Sequence, residues 1–463
     1  MATLIADQLA SDPRVLEARE LLDSALRDQT RKLTGIQAPD PARAVDYAKI
    51  IADFSHNRAG GLYFPYLGSG VGNGALVELA DGSIKYDFIS GIGVHFLGHS
   101  HPLLLNSGIS AALSDTVMQG NLQQNRDSPP IVFLLLQLAK NAGSRMEHCF
   151  LTTSGAMANE NALKLMFQRK PGAVRMLAFE HGFCGRTLAL SQITDKPLYR
   201  AGLPSTLPVD YIPFFDASNP TDSTEKAMLA LRTHLCRYPG QHAAMCLELI
   251  LGEGGYWVGD HDFFLRLLTE LKAHNIAVWF DEIQTFGRTS RPFAFEHFDL
   301  AQWADVVTVG KLTQLCATLF TPEFKPQPGL LSQTFTASAS AIAAAQVILK
   351  MLLEGDLFGP GGRNMHVHRI MTQRFETTAA RRPQLLRGPY GLGGMIAFTP
   401  LDGSEAKVKV VLKALFDAGV IAFYAGSNPA RIRMLPPTSV VTQQDIDTVC
   451  DIVESTLVAC ADI

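Results

Sequence analysis

Two residues carry chemistry that the rest of the chain has to position: Asp281 and Lys311. Each stands at the end of a short apolar run. Ile276–Phe280 ends in Asp281, and Val306–Val309 ends in Gly310-Lys311. Apolar runs of this length form buried parallel strands. Polar residues at the C-terminal ends of such strands collect along one edge of an open α/β sheet, where ligands bind. A carboxylate and an amine at that edge suit an aldehyde cofactor with a pyridine ring. The amine can form a Schiff base, and a buried carboxylate can hold the ring nitrogen protonated. The plain alternative, Asp281 as a helix cap and Lys311 as a surface lysine, explains either residue alone. It does not explain the words around them, DEIQTFGRT and VGK.

Other segments offer complementary groups. His148–Thr153 reads as a strand running into Ser154-Gly155-Ala156 and a helix from Met157 to Arg169. A strand, a tight turn and a helix N-terminus leave backbone N–H groups free at Gly155 and Ala156, an anion site fit for a phosphate. The strand Arg175–Glu180 leads into HGFCGRT at 181–187. There Arg186 can clamp a carboxylate through two parallel bonds or serve as a surface ion pair. Ala243–Ile250, a further strand, runs into Gly252-Glu253-Gly254-Gly255. Gln284 follows Asp281 by three residues, so both face one ligand if the chain turns helical there. His99 and His101 have no carboxylate or cysteine spacing beside them, and no metal is expected.

DEIQTFGRT followed by VGK resembles the signature of the class III aminotransferases, which are fold type I enzymes dependent on pyridoxal 5'-phosphate. The resemblance runs from about Gly61 to the C-terminus. SGAMANENALKLM, HGFCGRT, ELILGEGG and the RMLPP of 433–437 each match a family word. It implies that Asp281 faces the pyridine nitrogen, Gln284 the ring's phenolic oxygen and Phe183 the ring face. It implies that Arg433 binds a substrate carboxylate with Glu253 as its partner, and that Thr334 reaches the phosphate of a neighbouring subunit's cofactor. A homodimer follows. Arg431, two residues before Arg433, reads as a surface charge. The word GKLTQLC is similar to that of lysine 6-aminotransferases. Four places depart from the family pattern: Cys184, Leu249, Leu251 and the TASAS that follows Phe335.

The elements that must position these groups read as α/β. A large pyridoxal-phosphate-binding domain with a mostly parallel sheet spans 106–345. A smaller α+β domain takes 346–463 together with an N-terminal segment, 1–105. Val15, Ala18, Leu22 and Ala25 predict one amphipathic helix near the N-terminus. Asp81-Gly82 predicts a hairpin turn. Ser128-Pro-Pro predicts a helix start with Ser128 as the cap. Residues 196–221 read as a long loop, and Gly391–Thr399 as one strand.

A chain of 463 residues with net charge −4 has no electrostatic footprint for nucleic acid. Its longest apolar run, Ile131–Ala139, is too short to span a bilayer. Seven scattered cysteines point to a reducing, cytoplasmic setting. The expected reaction moves the terminal amino group of an ω-amino acid, of the lysine, ornithine, acetylornithine or 4-aminobutyrate type, to 2-oxoglutarate. The residues leave open an aminomutase or another non-transaminating fold type I enzyme. A dehydrogenase would need a GxGxxG word after a strand, which is missing.

Overall fold

The two runs that end in Asp281 and Lys311 lie side by side. In the computed structural model, which describes residues 3–461, they are neighbours in a seven-stranded sheet. Its strands are β1 (His148–Thr152), β2 (Arg175–Phe179), β3 (Val209–Ile212), β4 (His242–Leu247), β5 (Ala277–Glu282), β6 (Val306–Val309) and β7 (Cys316–Phe320). Their order is β1-β7-β6-β5-β4-β2-β3. All neighbours are parallel except β7, which runs antiparallel to both β6 and β1. Side chains on both faces of β4 and β6 are buried throughout, as helix-covered parallel strands require.

Register decides where the two functional groups meet. Asp281 pairs with Thr308 and Glu282 with Val309, so Asp281 and Lys311 leave the sheet at the same edge. The Trp279 indole donates to Thr308 Oγ1 at 3.1 Å, deep in the core. A slip of one residue would turn Asp281 to the opposite face and would also break that bond. Each fully buried Val, Leu or Phe of these strands contributes about 1.5–3 kcal/mol. The core holds the edge rigid.

A separate apolar cluster draws Leu33 and the Ala75–Phe88 stretch together with Val367 to Cys460. A four-stranded sheet joins the two ends of the chain: the hairpin Leu76–Leu79 and Ile84–Asp87 receives Val420–Ile421 in parallel beside its second strand. On this packing we propose the division read from the sequence, 106–345 against 1–105 with 346–463.

Several elements differ from the sequence reading. The N-terminal region holds three helices, Ile5–Ala10, Pro13–Thr30 and Ala44–Asn57, where one was expected. Asp12 and Asp40 side chains cap the turns between them, and Leu16, Leu21 and Leu22 stay exposed. The stretch 196–221 contains β3, an edge strand only four residues long whose alternation is too brief to stand out. Gly391–Thr399 is the close of a hairpin: Gly393, at φ +59, turns Leu386–Leu392 back onto Met395–Pro400. The helix at 128 takes Asp127 as its cap residue, and the Ser128 hydroxyl instead donates to Gln119 Oε1 at 2.5 Å. Among the described residues, no helix is long and apolar enough to cross a membrane.

Candidate active site

Lys311 opens a short helical turn directly after β6. It holds φ at +52°, a left-handed conformation that a non-glycine residue adopts only when its surroundings impose it. The Gln314 N–H donates to Lys311 O at 2.9 Å, and Thr313 Oγ1 donates to Leu315 O at 2.6 Å, fixing the turn. Gly310 leaves room for the Cys316 thiol, because a Cβ there would stand 2.5 Å from Cys316 Sγ and force it to shift. Burial, with the charge of Arg433, pushes the Lys311 amine down to about 8 against the pull of Glu253 and Glu248.

Asp281, the penultimate residue of β5, is buried. Burial pushes its carboxyl up to about 6, opposed by the Ile283 N–H at 3.0 Å, the Asn159 amide at 2.7 Å and Lys311. Asn159 lies on the helix Gly155–Arg169, and its amide also donates to Cys184 O at 2.6 Å. One side chain thus ties three distant segments together, and the sequence reading gave it no role. The Cys184 and Cys246 sulfurs are 3.9 Å apart and share a 4.8 Å neighbourhood with Asp281. Burial pushes both thiols up, so they pack as neutral groups.

Gln284 sits in a single helical turn closed by Phe286 N–H to Glu282 O at 3.0 Å. Its Oε1 is buried and has no hydrogen-bond partner among the described residues. Gly252 makes room for it: a Cβ there would come within 2.6 Å of that oxygen. Ser154 caps the helix that begins at Gly155 by accepting from Met157 N–H. The amides of Gly155 and Ala156 are left over, as in any first turn. Gly155 also packs against Ile283, where a Cβ would meet its side chain at 3.0 Å, so the anion site and the Asp281 turn abut.

A cavity of about 1010 Å³ opens beside Lys311 and is lined by Phe183, Arg186, Lys196, Glu253 and Arg433. Phe183 donates its backbone N–H to Glu248 Oε2 at 2.7 Å, and Gly252 donates to Oε1 at 3.1 Å. Burial, with Asp281 nearby, pushes Glu248 up to about 8. Arg186 stacks on Tyr199 at 3.7 Å with no carboxylate partner among the described residues. Arg433 is wholly buried, and its Nη2 meets Glu253 Oε1 at 2.5 Å. Burial works against both charges, but each holds the other ionised.

Thr334 is exposed outside this cavity, and a Cβ on Gly120 would come within 1.8 Å of its backbone oxygen. One sequence expectation meets a different outcome. Arg431 is no surface charge. It is 1% exposed, clamped between Tyr390 at 3.4 Å and Trp257 at 3.9 Å, and it donates to Gly255 O at 2.7 Å. Aromatic faces can receive a guanidinium without a carboxylate, which alternation in a four-residue strand could not reveal.

These groups fit pyridoxal 5'-phosphate. An orphaned Gln284 oxygen, an unpartnered Asn159 Oδ1, a buried carboxylate, free helix-end amides and a lysine of lowered pKa match the atoms around a flat phosphorylated pyridine aldehyde.

Comparisons with known proteins agree. The family described as aminotransferase class III matches residues 68–457. Acetylornithine aminotransferase of Lactococcus lactis is 30% identical over 385 residues, covering 81% of this chain and 92% of the relative. The acetylornithine aminotransferase of Corynebacterium efficiens is 30% identical over 400 residues, covering 81% and 88%. Among solved structures, a lysine aminotransferase from M. tuberculosis superposes with a TM-score of 0.79 over 92% of this chain and all of its own, at 23% identity.

Proposed function

The chain belongs to the class III aminotransferases, and from that premise we propose that it moves the terminal amino group of an ω-amino acid to 2-oxoglutarate. It is a pyridoxal-phosphate-dependent enzyme of fold type I. When bound, the cofactor supplies an aldehyde for the donor amine and a ring that stores the electrons of the broken C–H bond.

The chain's own residues do the rest. Lys311 would hold the cofactor and, once freed, would take a proton from the donor carbon as base and return it as acid on the far side of the intervening nitrogen. Asp281, fixed by Asn159, would keep the pyridine nitrogen charged. Gln284 would meet the phenolic oxygen, Gly155 and Ala156 the phosphate, and Phe183 would cover the ring and exclude water. Arg186 binds the distal carboxylate of 2-oxoglutarate, and Arg433 binds its α-carboxylate.

The observation that carries the ω-amine reading is the Glu253–Arg433 pair beside Lys311. One pocket has to accept a long amine with no carboxylate at its reacting end, and then a 2-oxo acid that has one. With Glu253 on Arg433 the guanidinium is hidden. A buried arginine with no partner would be costly, so the pair also makes the amine-binding state tolerable. The similarity to acetylornithine aminotransferases supports the same class.

Glu253→Ala is expected to shift the ratio of ω-amino to α-amino donor reactivity toward α-amino donors by about tenfold to a hundredfold. Arg433→Ala should mainly weaken 2-oxoglutarate. Half-reaction rates with lysine, ornithine, acetylornithine, 4-aminobutyrate and alanine measure both. If the unmodified enzyme reacts fastest at the α-amine of alanine, the ω-class assignment fails.

The active unit is a homodimer in this reading. Thr334 stands exposed, free to reach a neighbouring subunit's phosphate, with Phe335 exposed beside it and Val117, Met118 and Leu122 exposed along the segment that pairs with Ala337–Ser338. Sedimentation should give a dimer; a fully active monomer would refute this. A cytoplasmic setting belongs to the same proposal, supported by seven free cysteines.

A further inference from the structure

Glu253 has a second cation that the family-level reading does not use. Its Oε1 is bound to Arg433, while its Oε2 faces the Lys196 ammonium at 3.9 Å. All three side chains line the same cavity. Arg433 is 0% exposed, Glu253 17% and Lys196 22%, so Lys196 stands on the solvent side of the carboxylate and Arg433 on the inner side.

We propose that Lys196 is the alternate partner of Glu253, receiving its carboxylate when Arg433 turns to the α-carboxylate of a dicarboxylic 2-oxo acid. The proposal rests on the transaminase reading above. It answers a problem that reading leaves. When a substrate carboxylate takes Arg433, Glu253 loses its partner in a largely enclosed site, where a lone carboxylate is strongly disfavoured. A cation already 3.9 Å from its free oxygen removes that penalty after a small rotation.

The local chain permits such a rotation. Glu253 is flanked by Gly252 on one side and Gly254-Gly255 on the other, with Gly255 at φ +115°. The turn itself stays anchored, because Gly426 N–H donates to Glu253 O at 2.9 Å. Only the side chain has to move.

The groups facing Lys196 are consistent with a waiting partner. Its pKa is lowered by burial, with Glu253 and Glu248 pulling it up and Arg433 and Arg186 pushing it down. The Tyr199 ring lies 5.6 Å from its ammonium. Neighbouring Asp195 is engaged elsewhere: it accepts the His181 N–H at 2.9 Å and sits 4.0 Å from Arg200. Lys196 therefore has Glu253 as its sole ion-pair partner among the described residues.

A double-mutant cycle tests this by equilibrium binding rather than turnover. Calorimetry on the cofactor-loaded enzyme would compare glutarate, a dicarboxylate without the reactive oxo group, with valerate, its monocarboxylate counterpart. Lys196→Met is expected to lower the glutarate-to-valerate affinity ratio by about tenfold, the scale of coupling between contacting charges. In a Glu253→Ala background the same substitution should change the ratio little, because no carboxylate remains to be received. An equal loss in both backgrounds would mean that Lys196 binds the ligand directly, and no loss in either would mean that it plays no part; each overturns the proposal. Failure of every ω-amine as a donor would overturn the functional reading alone, since the binding cycle would still report the coupling.

Discussion

Lys311→Ala is expected to abolish transamination, with rates falling by at least about four orders of magnitude. Positioned acid–base groups contribute roughly 10²–10⁴-fold, and covalent capture of the cofactor is lost as well. At this sheet edge the Lys311 amine has its pKa brought down to about 8. The variant should keep its fold, since the Lys311 side chain reaches into the cavity instead of packing in the core. Borohydride reduction and peptide mapping of the unmodified enzyme should place the pyridoxyl label on Lys311. A label on another lysine would reject the assignment. The direction of the shift also sets a pH dependence. An amine acts as a base only when neutral, so proton transfer through Lys311 should rise with pH toward about 8 and level off above it.

The second large effect is expected at Asp281. Asp281→Asn keeps the shape and can keep the Ile283 contact, but it removes the charge that faces the pyridine nitrogen. Removing one member of a buried ion pair costs about 3–5 kcal/mol, which corresponds to roughly a hundredfold to a thousandfold or more in rate. Stopped-flow half-reactions and cofactor retention on dialysis should both register it; a variant within a few-fold of the parent would refute the role. Without cofactor, the stability difference should have a definite sign. The folded-state pKa of Asp281, about 6, is raised above its ordinary 3.8. Its stability advantage is therefore fully present below about pH 4 and lost as pH rises through about 6. The melting temperature of the wild-type apoprotein minus that of the D281N apoprotein should fall over that window.

Much of this site was legible because it is written at strand ends. Asp281 and Lys311 each terminate an apolar run, and Gly155-Ala156 open a helix after a strand; both are local patterns. Arg433 and Glu253 were found through their surrounding words. Asn159 was missed because its meaning lies in a contact with Asp281, 122 residues away. Lys196 was missed for the same reason, buried in a Pro- and Ser-rich stretch that reads as loop. Arg431 was misjudged because only the rings of Trp257 and Tyr390 explain a buried guanidinium. In the fold, the parallel strands were plain. The antiparallel β7 was not, since CATLF carries no mark of direction. Four-residue β3 gave too little alternation to separate it from its loop.

The smaller apolar cluster has a consequence for how the chain is made. The strand Ile84–Asp87 waits for a neighbour from the far end: Lys85 donates to Phe416 O across 331 residues. At roughly 10 residues per second of synthesis, that neighbour emerges about half a minute later. The large sheet, from His148 to Phe320, can close in the meantime. The N-terminal hairpin cannot, and its apolar Leu76, Tyr86 and Phe88 stay uncovered on the ribosome. Nascent chains halted before residue 416 should therefore hold a protected large sheet beside an open strand edge that a chaperone can bind.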